Sequence, residues 1–276
     1  MKYLNVGCGR KFSKNNIWEN IDMISHDRKH VRKHNLLKGL PYQDSSFDAL
    51  YHSQVLEHFQ KEKAKRFITE CYRVLKKGGV IRIVVPDLEN IASEYLRLLN
   101  ENLENSTVES KQNYDWIVME LFDQAVRNKS GGSTKEFFTN QETFGNLYLE
   151  SRTGGFGLKK ARKLRNETSS QKIKRVSREI GKINFLRIAL GIIKQKALDF
   201  FLGEKYRVGS FRLGGEIHYW MYDRFSLSEL LKEVGFKEIK VKTAYTSDIM
   251  NWEKYELDVK DNTLYDPTSL FMEARK

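Results

Sequence analysis

Over residues 1–99 the apolar positions fall into short continuous runs that alternate with helical stripes. Residues 2–6 form a short apolar run that predicts a buried strand, and residues 18–23 predict a second. Only about a dozen residues separate them, near the lower limit for a parallel crossover, so the first helix is expected to be short or degenerate. Residues 34–37 read as a third short strand and residues 47–52 as a fourth, followed by a helical pattern through Val55, Leu56 and Phe59. Ala64, Phe67, Ile68, Cys71 and Leu75 then share one helix face, and Lys76-Lys77-Gly78-Gly79 predicts that helix's end. Residues 80–85 are an almost wholly apolar strand interrupted by Arg82, and Pro86-Asp87 leads into a helix over residues 88–99. Strands alternating with helices predict an α/β fold, an open parallel sheet covered on both faces.

The alternation stops between residues 100 and 215. That stretch has no strand-like run, carries Gly131-Gly132-Ser133 and Gly154-Gly155-Phe156-Gly157, and shows helical patterns at residues 116–126 and 173–202. In the second of these, apolar residues recur every three or four positions from Ile173 to Phe201, a sustained stripe on a long basic helix. After Gly215 the α/β pattern resumes with a helix at 227–234 capped by Gly235, a strand at 237–243 and a closing strand at 269–274. Residues 1–99 and 216–276 are thus read as one core, and residues 100–215 as a mainly helical insertion.

Composition narrows the setting. The chain has 276 residues, 40% of them hydrophobic, enough for one large domain with an elaborate insertion. Cys8 and Cys71 have no spacing that suggests a disulfide framework or a zinc site, which points to a reducing, cytoplasmic setting. No charged-then-apolar leader precedes the first strand, and no run approaches the roughly 18–20 apolar residues that span a bilayer. The formal charge of +12 is concentrated: residues 159–196 hold 13 Lys or Arg against two acids, which accounts for +11 of it. Three readings of this basic helix stay open. It is first a solvated face whose apolar stripe packs on the core; then a peripheral contact with anionic membrane at the inner face; nucleic-acid binding comes third, since no recognised RNA module accompanies the charge.

The chemistry begins at Gly7-Cys8-Gly9, directly after the first strand. Glycine has no Cβ, so such a turn lets backbone N–H groups approach a ligand. Asp22, closing the second strand, is placed to accept hydrogen bonds from both hydroxyls of a ribose. Further along, Leu-Pro-Tyr-Gln-Asp-Ser-Ser-Phe-Asp at 40–48, Val-Leu-Glu-His-Phe at 55–59, Arg-Val-Leu-Lys-Lys-Gly-Gly at 73–79 and Val-Pro-Asp-Leu-Glu at 85–89 follow in order, with Glu-Val-Gly-Phe at 233–236 and Glu-Ala-Arg-Lys at 273–276.

With Leu-Asn-Val-Gly-Cys-Gly at 4–9 and Asn-Ile-Asp at 20–22, these blocks resemble class I S-adenosylmethionine-dependent methyltransferases, in particular the type-11-like group associated with bacterial surface-glycan biosynthesis. The resemblance implies a Rossmann-like, seven-stranded, mostly parallel sheet with a large helical insertion, its last strand antiparallel, and S-adenosyl-L-methionine as cofactor. It implies that Gly7 and Gly9, with Asn5 and Cys8 in the same motif, line the methionine end. Asp22 would hold the ribose and Met23 flank the adenine. Asn35 and Leu36 stand where relatives have Asp-Leu near the adenine amino group, and asparagine's carbonyl can accept the same bond without charge. Tyr51, His52 and Ser53 would pass beneath the sulfonium. Because the motif starts so near Met1, the insertion is expected to supply the lid and the substrate choice.

A hydroxyl acceptor needs its proton removed. His58 is the first candidate base, because an imidazole titrates near neutrality and its block follows the fourth strand; Glu57, Asp87 and His218 are the others. Packing or capping competes with catalysis for His58, and a helix N-terminal role for Asp87. His52, Glu57 and His58 do not reproduce a known ligand spacing, so no metal is expected. The resulting expectation is O-methylation of a sugar hydroxyl on a small-molecule or lipid-linked glycan, with a non-catalytic scaffold and an RNA methyltransferase as the alternatives. Acceptor identity and oligomeric state are not legible.

Overall fold

The computed structural model describes residues 1–25, 27–139, 146–154, 190, 191, 198 and 201–276. Tyr3–Val6 (β1), Trp18–Asp22 (β2), Val31–Lys33 (β3), Phe47–Ser53 (β4), Leu75–Pro86 (β5), Lys237–Lys242 (β6) and Ser269–Arg275 (β9) build a seven-stranded sheet in the order β3-β2-β1-β4-β5-β9-β6. Every pair from β3 to β5 is parallel, and β9 runs antiparallel between β5 and β6. The expected Rossmann-like, mostly parallel sheet is present. Val259–Lys260 (β7) and Thr263–Leu264 (β8) add a small separate hairpin. Five helices carry the rest of the argument: Lys61–Val74 (α1), Leu88–Glu104 (α2), Val108–Val126 (α3), Gly132–Thr139 (α4) and Arg224–Val234 (α5). Among the described residues no helix is long and apolar enough to cross a membrane.

The chain steps from β1 outward through β2 and β3, then returns to the other side of β1 with β4 and β5. The order therefore reverses between β1 and β4, and the carboxyl ends of those two strands splay to form a crevice. As expected, the β1–β2 connection contains no helix: residues 7–17 are loop and turn. That missing helix shapes one face of the sheet. On the first face α1 and α5 cover Leu4, Val6, Leu50 and Ile81. On the second, Trp252 and Tyr255 from the chain beyond β6 lie over Tyr3 and Trp18, with ring centroids 5.3 Å apart for Trp18 and Tyr255. Helix α2 packs on α3 through Ile91, Leu98 and Ile117.

Four expectations about elements need correction. The third strand lies at Val31–Lys33, not 34–37: Asn35 Oδ1 accepts from the Leu37 N–H at 3.0 Å and caps a single turn over Leu36–Lys38. Such a local side-chain bond competes with strand pairing. The helical pattern after β4 is only one turn, Leu56–His58. Gly78-Gly79 does not follow a helix end; α1 stops at Val74 and β5 runs directly through both glycines. A Cβ at Gly79 would sit 3.1 Å from the Asp48 carbonyl oxygen, so the two backbones close up where β4–β5 pairing shifts register. Helix α2 runs past residue 99 to Glu104, beyond the point where the strand–helix alternation stops in the sequence. The basic stretch 159–196, apart from residues 190 and 191, lies outside the described residues.

Arg82, the one break in the apolar run of β5, is fully buried. Its guanidinium pairs with Asp258 at 2.7 Å and Glu273 at 2.8 Å, donates to the carbonyls of Thr243 and Thr246, and stacks over Trp252. It ties the central sheet to the segment that covers the second face.

Candidate functional site

The turn after β1 is held by backbone bonds to its neighbour: the N–H groups of Gly7 and Cys8 donate to the Ile21 carbonyl at 2.8 and 3.3 Å. Gly7 has φ +66°, and a Cβ there would lie 2.5 Å from Val55 Cγ2, so glycine is required on both counts. Gly9 has φ +53°, and no atom lies within 4 Å of where its Cβ would be, so the turn opens on free space. Asp22, at the end of β2, binds this turn directly. Its Oδ2 accepts from the Gly9 N–H at 2.9 Å and its Oδ1 from the Ile24 N–H at 2.8 Å. Each oxygen keeps a further lone pair, and the residue is only partly buried, so Asp22 retains acceptor capacity on its outer side. Met23 beside it is half exposed.

Other residues expected at the cofactor do different work. Asn5 is 1% exposed; its amide donates to the Lys11 carbonyl at 2.9 Å and to Asn20 Oδ1 at 3.2 Å, and Asn20 in turn holds the carbonyls of Ser13 and His30. It shapes the loop from beneath. Cys8 is buried, with its thiol pushed up to about 12 by burial and, secondarily, by Asp22, so it offers the site its backbone and a neutral side chain. Asn35 has its carbonyl in the cap already described. Leu36 turns into the core, leaving Leu37 exposed in its place.

His52 is also corrected. Side chains alternate along β4, so His52 shares a face with Leu50 under α1, its ring 5.2 Å from Phe67, and lies away from the crevice. It is 0% exposed, with neither ring nitrogen partnered among the described residues. Burial holds its pKa down at about 3, so the folded protein keeps it neutral. Its contribution to stability is fully present above the unfolded value of 6.5 and is lost as pH falls toward 3, because the unfolded chain takes up the proton first. At pH 4 this one group removes ~3 kcal/mol. Urea unfolding of His52→Leu is expected to lose ~3 kcal/mol less than the wild type between pH 7 and pH 4; equal losses would show that His52 titrates normally.

Ser53, on the opposite face, meets the crevice. Its hydroxyl accepts from Lys11 Nζ at 3.1 Å, and Lys11 also pairs with Asp266. Neither Lys11 nor Asp266 is foreseeable from a motif, because one lies in an irregular loop and the other in the turn before β9. Gln54 follows with φ +56°, a left-handed conformation uncommon outside glycine, held by its N–H to the Val84 carbonyl at 2.9 Å. A cavity of about 140 Å³ opens here, walled by Gln54, Glu120, Gln124, Arg152, His218 and Asp266. Arg152 and Glu120 face each other in a two-pronged pair, at 2.9 and 2.7 Å.

The four candidate bases separate into three and one. Asp87 caps α2, its Oδ1 accepting from the Glu89 N–H at 3.0 Å, and stands outside the group. Glu57, His58 and His218 come together. The Tyr219 N–H donates to the Glu57 carbonyl at 2.8 Å, and the His218 N–H to that of Gln124 at 3.0 Å, which docks the segment 217–220 onto the turn after β4 and onto α3. The rings of His58 and His218 then stand edge to face at 4.8 Å. Glu57 is 0% exposed; burial raises its carboxyl to about 8. Burial likewise lowers both imidazoles, His218 to about 3.

Residues 9–83 match a family model described as a methyltransferase domain. A probable S-adenosylmethionine-dependent methyltransferase of Mycolicibacterium smegmatis is 31% identical over 30% of this chain, and the match spans 37% of that relative's length. A SAM-dependent methyltransferase crystal structure from Archaeoglobus fulgidus overlays 100% of this chain and 86% of its own at 12% identity, with a TM-score of 0.38. One from Aquifex aeolicus covers 32% and 57% at 20% identity, with a TM-score of 0.26. The fold assignment rests on strand order and direction, not on these overlays.

Proposed function

We propose that this protein is an S-adenosylmethionine-dependent methyltransferase that methylates a hydroxyl of a sugar, on a small-molecule or lipid-linked glycan; the strand order and the methyltransferase-domain match over residues 9–83 support the reading. The observation that carries the reading is Asp22 bound to the Gly9 N–H at the strand-order reversal. The Gly7–Gly9 turn, Asp22 and Met23 would hold the cofactor, which would supply a methyl group on a sulfonium whose leaving group, a neutral thioether, is already good. The chain has then to position the acceptor, keep water out and manage one proton.

The 140 Å³ cavity supports a small polar acceptor. It is below the roughly 300 Å³ at which drug-sized sites begin, which suits one sugar unit. Gln54 and Gln124 offer both donors and acceptors to a ring of hydroxyls. The Glu57–His58–His218 group adjoins that cavity through His218 and is where the acceptor's proton would be handled. A lipid-linked acceptor would bring the basic stretch 159–196 against anionic membrane.

Methyl-labelled S-adenosylmethionine incubated with the protein and separate glycan, lipid and RNA fractions of a lysate tests this. Label is expected in the glycan or glycolipid fraction. Label confined to RNA, or label nowhere while the cofactor binds, would replace the reading with one of its alternatives.

A further inference from the structure

Glu57 presents an unusual problem for a folded chain. It is completely buried, and neither carboxylate oxygen has a hydrogen-bond partner among the described residues. A buried acceptor left unmade costs about 1–3 kcal/mol, and more when charged, so something is expected to meet it. Two imidazoles lie beside it: the donor atoms of Glu57, His58 and His218 all fall within 4.8 Å of one another. His58 is oriented in the manner of a metal ligand. Its Nδ1–H donates to the Ile217 carbonyl at 3.0 Å, which leaves the Nε2 lone pair free. The nearby cations are engaged elsewhere: Arg127 pairs with Asp123 at 3.1 Å and Glu216 at 3.2 Å, and Lys11 pairs with Asp266.

We propose that Glu57, His58 and His218 form a binding site for one divalent transition-metal ion of the zinc class, on the wall of the acceptor cavity. Two nitrogen donors and one carboxylate suit zinc and its neighbours; magnesium and calcium favour oxygen-only sets. Three protein ligands leave a fourth position open, and His218 lines the cavity beside Gln54 and Gln124, so that position faces the acceptor space. Donors about 2.0–2.1 Å from a tetrahedral ion stand roughly 3.3 Å apart, so these side chains close by up to ~1.5 Å on binding. Spacing along the sequence hid the set because His218 comes from beyond the insertion. The site does not depend on the proposed methyl transfer; its use does. A hydroxyl bound at the open position loses its proton more readily, the proton passing to water as hydronium and the O–H electron pair staying on the ion-held oxygen.

Metal-free full-length protein, titrated at neutral pH with Co²⁺ and then Zn²⁺ in the absence of cofactor and acceptor, gives the test. A single Co²⁺ per chain with visible d–d absorption, displaced by Zn²⁺, is expected. Glu57→Gln and His218→Ala should each weaken binding by about 100-fold or more. His30→Gln, in the loop before β3, should leave it intact. A wild-type chain that binds neither ion overturns the site. So does a His58→Ala/His218→Ala double variant that keeps binding while circular dichroism shows it folded. Since no methyl donor is in the assay, failure here and failure of methyl transfer are read separately.

Discussion

Arg82→Leu is expected to lower the free energy of unfolding by about 3–5 kcal/mol. The guanidinium lies between Asp258 and Glu273, both almost wholly buried, and each carboxylate has further commitments. Tyr51 donates to Asp258 at 2.6 Å, and the Asp248 N–H to Glu273 at 2.7 Å. Leucine would fill part of the space but strand two acids in a medium that solvates neither. The loss is therefore the cost of uncompensated charge, and not the net worth of the ion pairs, which against an apolar replacement of all three residues is small. Adding Glu273→Gln to Arg82→Leu should recover part of the stability by removing one stranded charge. Urea unfolding measures all three proteins. A change below about 1 kcal/mol for Arg82→Leu would mean that water reaches this network.

Asp22→Ala should weaken S-adenosylmethionine binding by about 100- to 10,000-fold. Two hydrogen bonds from ribose hydroxyls to a carboxylate contribute about 1.5–3 kcal/mol each, and every 1.4 kcal/mol is tenfold in affinity. The substitution also frees the N–H groups of Gly9 and Ile24, which now donate to the same carboxylate, so the turn loses its tether as well as its ligand group. Asp22→Asn, which keeps one acceptor oxygen, is expected to fall between the two. Titration calorimetry on folded variants measures it. A loss under tenfold for alanine would place the ribose elsewhere.

Much of this architecture is legible in one dimension. The first strand, the glycine turn, the acid at Asp22 and the helix-free first connection all follow from residues adjacent in sequence, and the structure places them as expected. So do α5 with its left-handed Gly235 cap and the antiparallel closing strand. The failures have separate causes. Asn35 and Gly78-Gly79 belong to common sequence signals, yet a local cap in one case and a close approach of β4 to β5 in the other decided the backbone. His52 sits in the right block for a cofactor contact; the alternation of β4 turned it to the other face.

The sequence by itself determined the sheet's class, the position of the glycine turn and the acid that serves it, because period, turn chemistry and capping act over a few residues. Only the tertiary structure decided which charges meet in the core and which titratable groups share a cavity. Arg82 finds Asp258 and Glu273, and Glu57 and His58 find His218, through contacts between segments far apart in the chain. Such contacts depend on how the segment after the insertion packs back on the turn after β4, and no local pattern of residues encodes that.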